Sequence, residues 1–167
     1  MSRDSTEQAA DADSLFLQAD RFEESRQFAR AFRCFLEAAE LGHASSQLNL
    51  ANYYSAGTGV RRNYAKAAYW YRKAYRNGRE TAARNLAIDK LALGDTRAAI
   101  GWLRKGIEKK DGGSYVILAR IYAKQRGGKS KAVKLLQRVA RLNSDQASEL
   151  DRENAEALLA EIRKDLT

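Results

Sequence analysis

Small and bulky apolar residues alternate along this chain with a helical period, and the alternation itself repeats. Ala67, Trp70, Tyr71 and Ala74 form a small–large–large–small set, and the set recurs at Ala31, Cys34, Phe35 and Ala38. It recurs again at Ala99, Trp102, Leu103 and Gly106, and at Ala132, Leu135, Leu136 and Val139. The leading alanines lie 36, 32 and 33 residues apart. The first, third and last members of each set share one face of an α-helix, and the small residues let that face approach a neighbour closely.

A second helical pattern precedes each set, marked by Ala19 with Phe22, Ala51 with Tyr54, Ala87 with Lys90, and Ala119 with Tyr122. From each of these alanines to the leading alanine of the next helix the count is 12, 16, 12 and 13 residues. The spacing predicts four helix–turn–helix hairpins, with extra residues in the second turn, "SAGTGVRRN", and in the fourth, "QRGGKS". Gly57, Gly59, Gly94, Gly127 and Gly128 fall where the chain must reverse, and Gly42 and Gly78 fall where a helix C-cap belongs. A last helix over about Asp145 to Leu166 carries Ala155, Leu159, Ile162 and Leu166 on one face and acidic residues on the other, as a cap over the final repeat would. The expected organisation is a flexible acidic N-terminus over 1–13, repeats over 14–143 and a capping helix over 144–167.

Composition sharpens the class. The 167 residues include no proline, and alanine, leucine and long charged residues dominate, which points to an all-α protein. The single cysteine, Cys34, excludes an internal disulfide and fits a reducing compartment. The polar start "MSRDSTEQAADADS" contains no apolar signal core, and no run of eighteen apolar residues occurs. The expected setting is cytoplasmic, or periplasmic for a chain whose signal peptide has been removed.

Charge is unevenly placed. Residues 1–25 hold 2 basic and 7 acidic side chains, a net −5; residues 26–143 hold 25 and 7, a net +18; residues 144–167 hold 3 and 7, a net −4. A central field of that size attracts acidic partners, whether protein or nucleic acid.

The stretch "HASSQLNLANYYSAGTGVRRNYAKAAYWYRKAYRNG", His43 to Gly78, resembles the Sel-one-like repeat (SLR). Its Ala44, Leu50, Tyr54, the "GTGV" turn from Gly57 to Val60, Lys66-Ala67, Trp70-Tyr71, Lys73-Ala74 and Gly78 carry the likeness. The third repeat, "LAIDKLALGDTRAAIGWLRKG", is similar to the related tetratricopeptide repeat through Leu86, Ala87, Gly94-Asp95, Ala99, Leu103 and Gly106, and departs from it at Lys90. The first and fourth repeats are degenerate. The resemblance implies a right-handed α-solenoid whose first helices line a concave face. It also implies a non-catalytic adaptor or scaffold for other proteins, in bacterial envelope, secretion or signalling assemblies. Relatives that serve as immunity partners of secreted toxins mark a further role within the same resemblance. Secreted relatives tie their repeats with cysteines, which this chain lacks.

Other motifs reduce to structure. Tyr71, Ala67 and Ala74 should face the partner helix, with Arg72, Lys73 and Arg76 toward solvent, so the aromatic-and-basic stretch reads as packing rather than a base-stacking surface. "GGKS", Gly127 to Ser130, resembles the end of a phosphate-binding loop, but Ala123 stands where the motif needs glycine. His43, the only histidine, reads as a residue between repeats, and Cys34 as a packing residue in the place of Trp70. No metal, cofactor or catalytic group is expected.

On the resemblance's geometry, the concave positions are Asp20 and Glu23 in the first repeat, Asn52 and Ser55 in the second, Arg84, Ile88 and Leu91 in the third, and Arg120 and Ala123 in the fourth, with Lys124 at the rim. That face should pass from acidic to basic, and its basic part suits an acidic peptide or protein surface. A nucleic acid or another anionic surface is the alternative partner. Ala67→Leu should lower stability by about 1–3 kcal/mol through overpacking between paired helices, as read from the urea midpoint.

Overall fold

The computed structural model describes residues 5–165. Among them are nine α-helices and no strand: α1 (Ser5–Glu24), α2 (Phe28–Glu40), α3 (Ala44–Ala56), α4 (Tyr64–Arg76), α5 (Thr81–Ala92), α6 (Thr96–Glu108), α7 (Gly112–Ala123), α8 (Lys129–Val139) and α9 (Glu149–Lys164). This is the all-α helical-repeat architecture that the small–large–large–small pattern predicts. The chain forms two compact units, Met1–Asp89 and Lys90–Thr167, and the boundary falls within α5.

The repeated small residues are the points of closest packing in both units. In the first, Ala19, Ala31, Ala38, Ala51, Ala67, Ala74 and Ala87 have no exposed surface. In the second the same holds for Ala99, Ala119 and Ala132. An alanine at such a site buries no polar atom and loses no rotamer freedom, so the helix backbones can meet. The bulky partners fill the space between. In the first unit the Phe35 and Tyr53 rings meet edge-on at 5.5 Å and those of Phe32 and Tyr54 at 5.3 Å. In the second, Tyr115, Val116, Leu136 and Val139 of α7 and α8 join Ala155, Leu158 and Ile162 of α9 in one core.

The capping helix therefore packs as foreseen through Ala155 and Ile162, but Leu158 is its most buried leucine and Leu159 is partly covered. Leu166 lies outside the described residues. A capping box starts α9: Ser148 Oγ accepts from Asp151 N–H at 3.2 Å, and Asp151 Oδ2 accepts from Ser148 N–H at 3.0 Å.

Residues 1–4 of the stretch expected to be flexible lie outside the described part, but from Ser5 onward the chain is helical and Ala12 is buried. The segment has few large apolar groups: residues 6–10 are exposed and Ala12 is the one buried residue described before Ser14, so hydrophobic patterning has little there to register.

The turns explain the glycines. Gly42 and Gly78 follow α2 and α4 in the left-handed conformation, at φ of 100° and 86°. Each lies between two backbone bonds that close the helix end; for Gly42 these are His43 N–H to the Ala38 carbonyl and Gly42 N–H to the Ala39 carbonyl. The four extra residues of the second turn have a structural use. Gly59, at φ 64°, lies so close to the start of α2 that an added Cβ would sit 2.5 Å from the Phe28 carbonyl oxygen. The loop is closed by Asn63 N–H to the Tyr54 carbonyl at 2.7 Å, and Asn63 then caps α4. The "GGKS" stretch is likewise a turn running into a helix: Gly127 and Gly128 precede α8, which Lys129 opens, and Lys129 Nζ lies 3.4 Å from Asp165 Oδ2, tying the start of α8 to the end of α9.

No helix among the described residues is long and apolar enough to cross a membrane. Gly59→Ala should lower stability by about 2–4 kcal/mol, because it adds both a collision and a left-handed alanine, whereas Gly94→Ala, with open space around its Cβ, should cost only the conformational part of that. Urea midpoints of the two variants provide the comparison.

Candidate functional site

The positions proposed from sequence fall on α1, α3, α5 and α7, the first helix of each hairpin. In the first unit Glu23, Asn52 and Ser55 belong to a hydrogen-bonded polar ladder. Glu23 of α1 accepts from the Tyr53 hydroxyl of α3 at 2.7 Å. Asn52 Oδ1 accepts twice, from the Tyr71 hydroxyl of α4 at 2.8 Å and from Asn85 Nδ2 of α5 at 3.0 Å. The Ser55 hydroxyl donates to Asp89 Oδ1 of α5 at 2.6 Å.

Asn52 and Ser55 therefore work first as links between neighbouring helices. Burial raises the Tyr71 phenol well above its ordinary value, and the Asp89 carboxylate raises it further. Burial likewise raises Tyr53, with the hydrogen bond to Glu23 next in size. Asp20 is raised by burial and then by the negative charges of Glu23 and Glu24. The N-terminal part of this face is thus a region where carboxylates crowd one another. Arg84 is half-buried on α5, and Ile88 is exposed one turn later.

In the second unit, Arg120 and Lys124 are exposed one turn apart at the C-terminal end of α7, with Ala123 half-buried beside them. A four-residue spacing places the two cations on one side of the helix, while Tyr115, Val116, Leu118 and Ala119 bury the other. Leu91, in the last turn of α5, is half-buried.

Sequence patterning missed three groups that shape these surfaces. Asp89 is a buried carboxylate next to Ile88, where the period predicted only an open groove position. Gln47 is buried in the first turn of α3; its Nε2 donates to the Ala39 carbonyl at 3.2 Å and its Oε1 accepts from Asn77 Nδ2 at 2.8 Å. Asp111 caps α7 by accepting from Ser114 N–H at 2.9 Å, and Ser114 is itself fully buried. Each was readable as a polar residue at the start or inner side of a helix, but its partner lies in another helix or turns on local cap geometry.

The basic second helices hold much of their charge over aromatic rings. Lys105 Nζ lies 4.2 Å from the Trp102 ring, Lys73 Nζ lies 5.0 Å from Trp70, and the Arg138 guanidinium lies 5.5 Å from Tyr115. Contacts of this kind contribute about 0.5–1 kcal/mol each at exposed sites and fix where the charge sits. Trp70 and Tyr71 are themselves buried, as the packing interpretation of the aromatic stretch requires.

His43 and Cys34 serve packing and capping. His43 Nδ1 accepts from Ser46 N–H at 3.3 Å, which caps α3, while Nε2 faces Asp13 at 3.5 Å and the ring meets Phe16 edge-on. Cys34 Sγ donates to Gln18 Oε1 at 3.6 Å from a buried position, and burial raises its thiol pKa. Among the described residues no group of three or more His, Cys, Asp or Glu side chains could hold a metal ion.

A helical-repeat scaffold is the class that these hairpins and surfaces define. A family model for the Sel1 repeat matches residues 22–43, 44–78, 82–111 and 118–144, more than half of the chain. The chain belongs to the Sel1 repeat family, whose members are generally non-catalytic scaffolds for protein–protein interaction. No curated protein matches the sequence. Among solved structures, a Sel1 repeat protein from Oxalobacter formigenes is similar over 90% of this chain, with a TM-score of 0.73 and 22% identity. A protective antigen present in uropathogenic Escherichia coli strains and displaying an SLR fold is similar over 88%, with a TM-score of 0.71 and 21% identity. The chain spans 61% and 33% of those two proteins' lengths.

His43 yields a pH prediction. Burial lowers its pKa from the ordinary 6.5, and Arg79 lowers it further against the opposing pull of Asp13 and Asp20. The folded chain then binds fewer protons than the unfolded chain just below pH 6.5, so this group's stabilising share is present above that pH and lost as pH falls. Urea midpoints should drop between pH 7.5 and 5 by more in the parent than in His43→Asn, whose cap does not titrate. Parallel pH profiles would show that His43 contributes nothing.

Proposed function

We propose that the chain is a non-catalytic adaptor that captures an acidic peptide or acidic protein surface on the first-helix face of its repeats. The observation that carries this reading is the exposed pair Arg120 and Lys124 at the end of α7, two cations held one turn apart on a helix whose other face is packed. On α5, Arg84 with the exposed Ile88 supplies a mixed basic and apolar contact of the same kind. Asn52 and Ser55 support the surface from below through the polar ladder on α3. Charge steers such a partner and fixes its register, and apolar contacts at half-buried positions add affinity. A bacterial envelope, secretion or signalling assembly is the setting that suits this family likeness, and an immunity role toward a secreted toxin is a special case of the same binding.

Nucleic acid suits the surface less well. Single-stranded nucleic acid is gripped by stacking bases on accessible rings, whereas Trp70 and Tyr71 are buried and Lys73 lies 5.4 Å from the more exposed Tyr69.

Affinity capture from native extract, read by mass spectrometry, tests the reading. Arg120→Glu with Lys124→Glu, and separately Arg84→Glu, should lose acidic partners by tenfold or more, roughly the effect of reversing a charge at a contact, with helical circular dichroism unchanged. Undiminished capture by all variants would remove the first-helix face from the function. Retention on a single-stranded DNA column that falls steeply with salt and is stronger than retention of any protein would replace the acidic protein with nucleic acid.

A further inference from the structure

The helix ends of α2, α4 and α6 are built alike, with one exception. Gly42 and Gly78 take the left-handed position after α2 and α4, but Lys110 takes it after α6, at φ 60°. The backbone bonds are the same: Lys110 N–H donates to the Ile107 carbonyl at 2.9 Å and Asp111 N–H to the Gly106 carbonyl at 3.0 Å. A side chain in this conformation is disfavoured relative to glycine. Lysine thus stands where glycine would serve the backbone better.

Its neighbours give that lysine a use. Lys110 lines an open cleft of about 460 Å³ within the second unit, together with Arg138, Arg141, Tyr115, Ile107 and Leu142. Three cations face one carboxylate there, that of Glu108. Arg138 is held over the Tyr115 ring. The turn that carries Arg141 and Leu142 is ordered by Arg152, whose Nη2 donates to the Leu142 carbonyl at 2.9 Å and to the Ala147 carbonyl at 3.3 Å. Gly112 N–H donates to the Gln146 carbonyl at 2.6 Å and fixes the same turn against the start of α7. A surplus of positive charge therefore sits on backbone that is already ordered, which lowers the cost of binding.

We propose that this cleft is a second recognition site, taking the carboxylate side chains of an acidic, leucine-bearing peptide segment of a partner protein. It rests on the reading that the chain binds acidic protein partners, and it uses residues different from Arg84, Arg120 and Lys124. Half-buried Ile107 and Leu142 offer an apolar seat between the cations for an aliphatic side chain. Tyr115 is only 3% exposed beneath Arg138, so the cleft has no open ring on which to stack a base.

A fluorescein-labelled peptide of alternating glutamate and leucine, titrated with the full chain and read by anisotropy at fixed ionic strength, tests the site. Lys110→Gly should weaken binding about fivefold or more while leaving the melting temperature unchanged or raised, because the variant restores the residue the backbone favours. Arg141→Glu should weaken binding about tenfold or more, and Arg120→Glu with Lys124→Glu should change it less than about twofold. Unchanged affinity in both cleft variants, or no peptide binding by the parent, overturns the cleft and leaves the α7 surface to its own capture test. A loss confined to the Arg120 and Lys124 variant overturns the cleft and supports the α7 surface. A Lys110→Gly variant that loses stability together with affinity overturns the special role of Lys110. Stronger competition by a thymidine oligonucleotide than by unlabelled peptide overturns the assignment to a protein partner.

Discussion

Helix backbones can approach closely only where side chains are small, and this architecture depends on meeting that constraint at the same place in every hairpin. Fully buried alanines recur at the leading position of each second helix and at the marker position of each first helix. Where the approach is closer still, the residue is glycine: a Cβ on Gly106 would come within 2.1 Å of Ser114 Oγ, and one on Gly112 within 2.6 Å of the Ala147 methyl. The bulky residues then have defined gaps to fill, and the aromatic pairs of the first unit follow from that. Stability is shared among many modest contacts between neighbouring helices, as expected of stacked repeats.

The polar face of the first helices meets a second requirement. A repeat must be joined to the next without closing the surface on which a partner would rest. In the first unit the joining is done by short side-chain hydrogen bonds, Tyr53 to Glu23, Asn85 to Asn52 and Ser55 to Asp89, which hold helices together at the edge of their apolar contacts. Bonds of this kind contribute about 1 kcal/mol each, and losing one partner leaves the other partly desolvated. Residues that look like free recognition groups in the sequence are thereby partly committed to the frame. The cations of α7 and of the cleft beside α8 are more exposed.

The hairpins, their turns and the capping helix were legible because a helix-period pattern of small and large residues survives even in the degenerate repeats. Ala132, Leu136 and Val139 hold their places although leucines stand in the fourth repeat where the second has Trp70 and Tyr71. The start of α1 was hidden because residues 6–10 are exposed and carry no apolar stripe for hydrophobic patterning to register. Asp89 and Gln47 were hidden because their partners, Ser55 and Asn77, are more than 25 residues away in sequence. The exposure of Arg120 and Lys124 follows from helical phase; the commitment of Asn52 to Tyr71 and Asn85 does not. Lys110 was overlooked because a reading of turns that looks for glycine passes over left-handed caps that lack it, Arg26 after α1 among them.

The burial of Cys34 has a consequence of its own. Its sulfur lies in α2 against Gln18 of α1, with its thiolate form disfavoured. Alkylating reagents attack the thiolate, so this atom stays inert while the first hairpin is shut. Being the sole sulfhydryl in the chain, it acts as a built-in clock: its rate of labelling counts how often α1 lifts away, with no dye or tag added elsewhere.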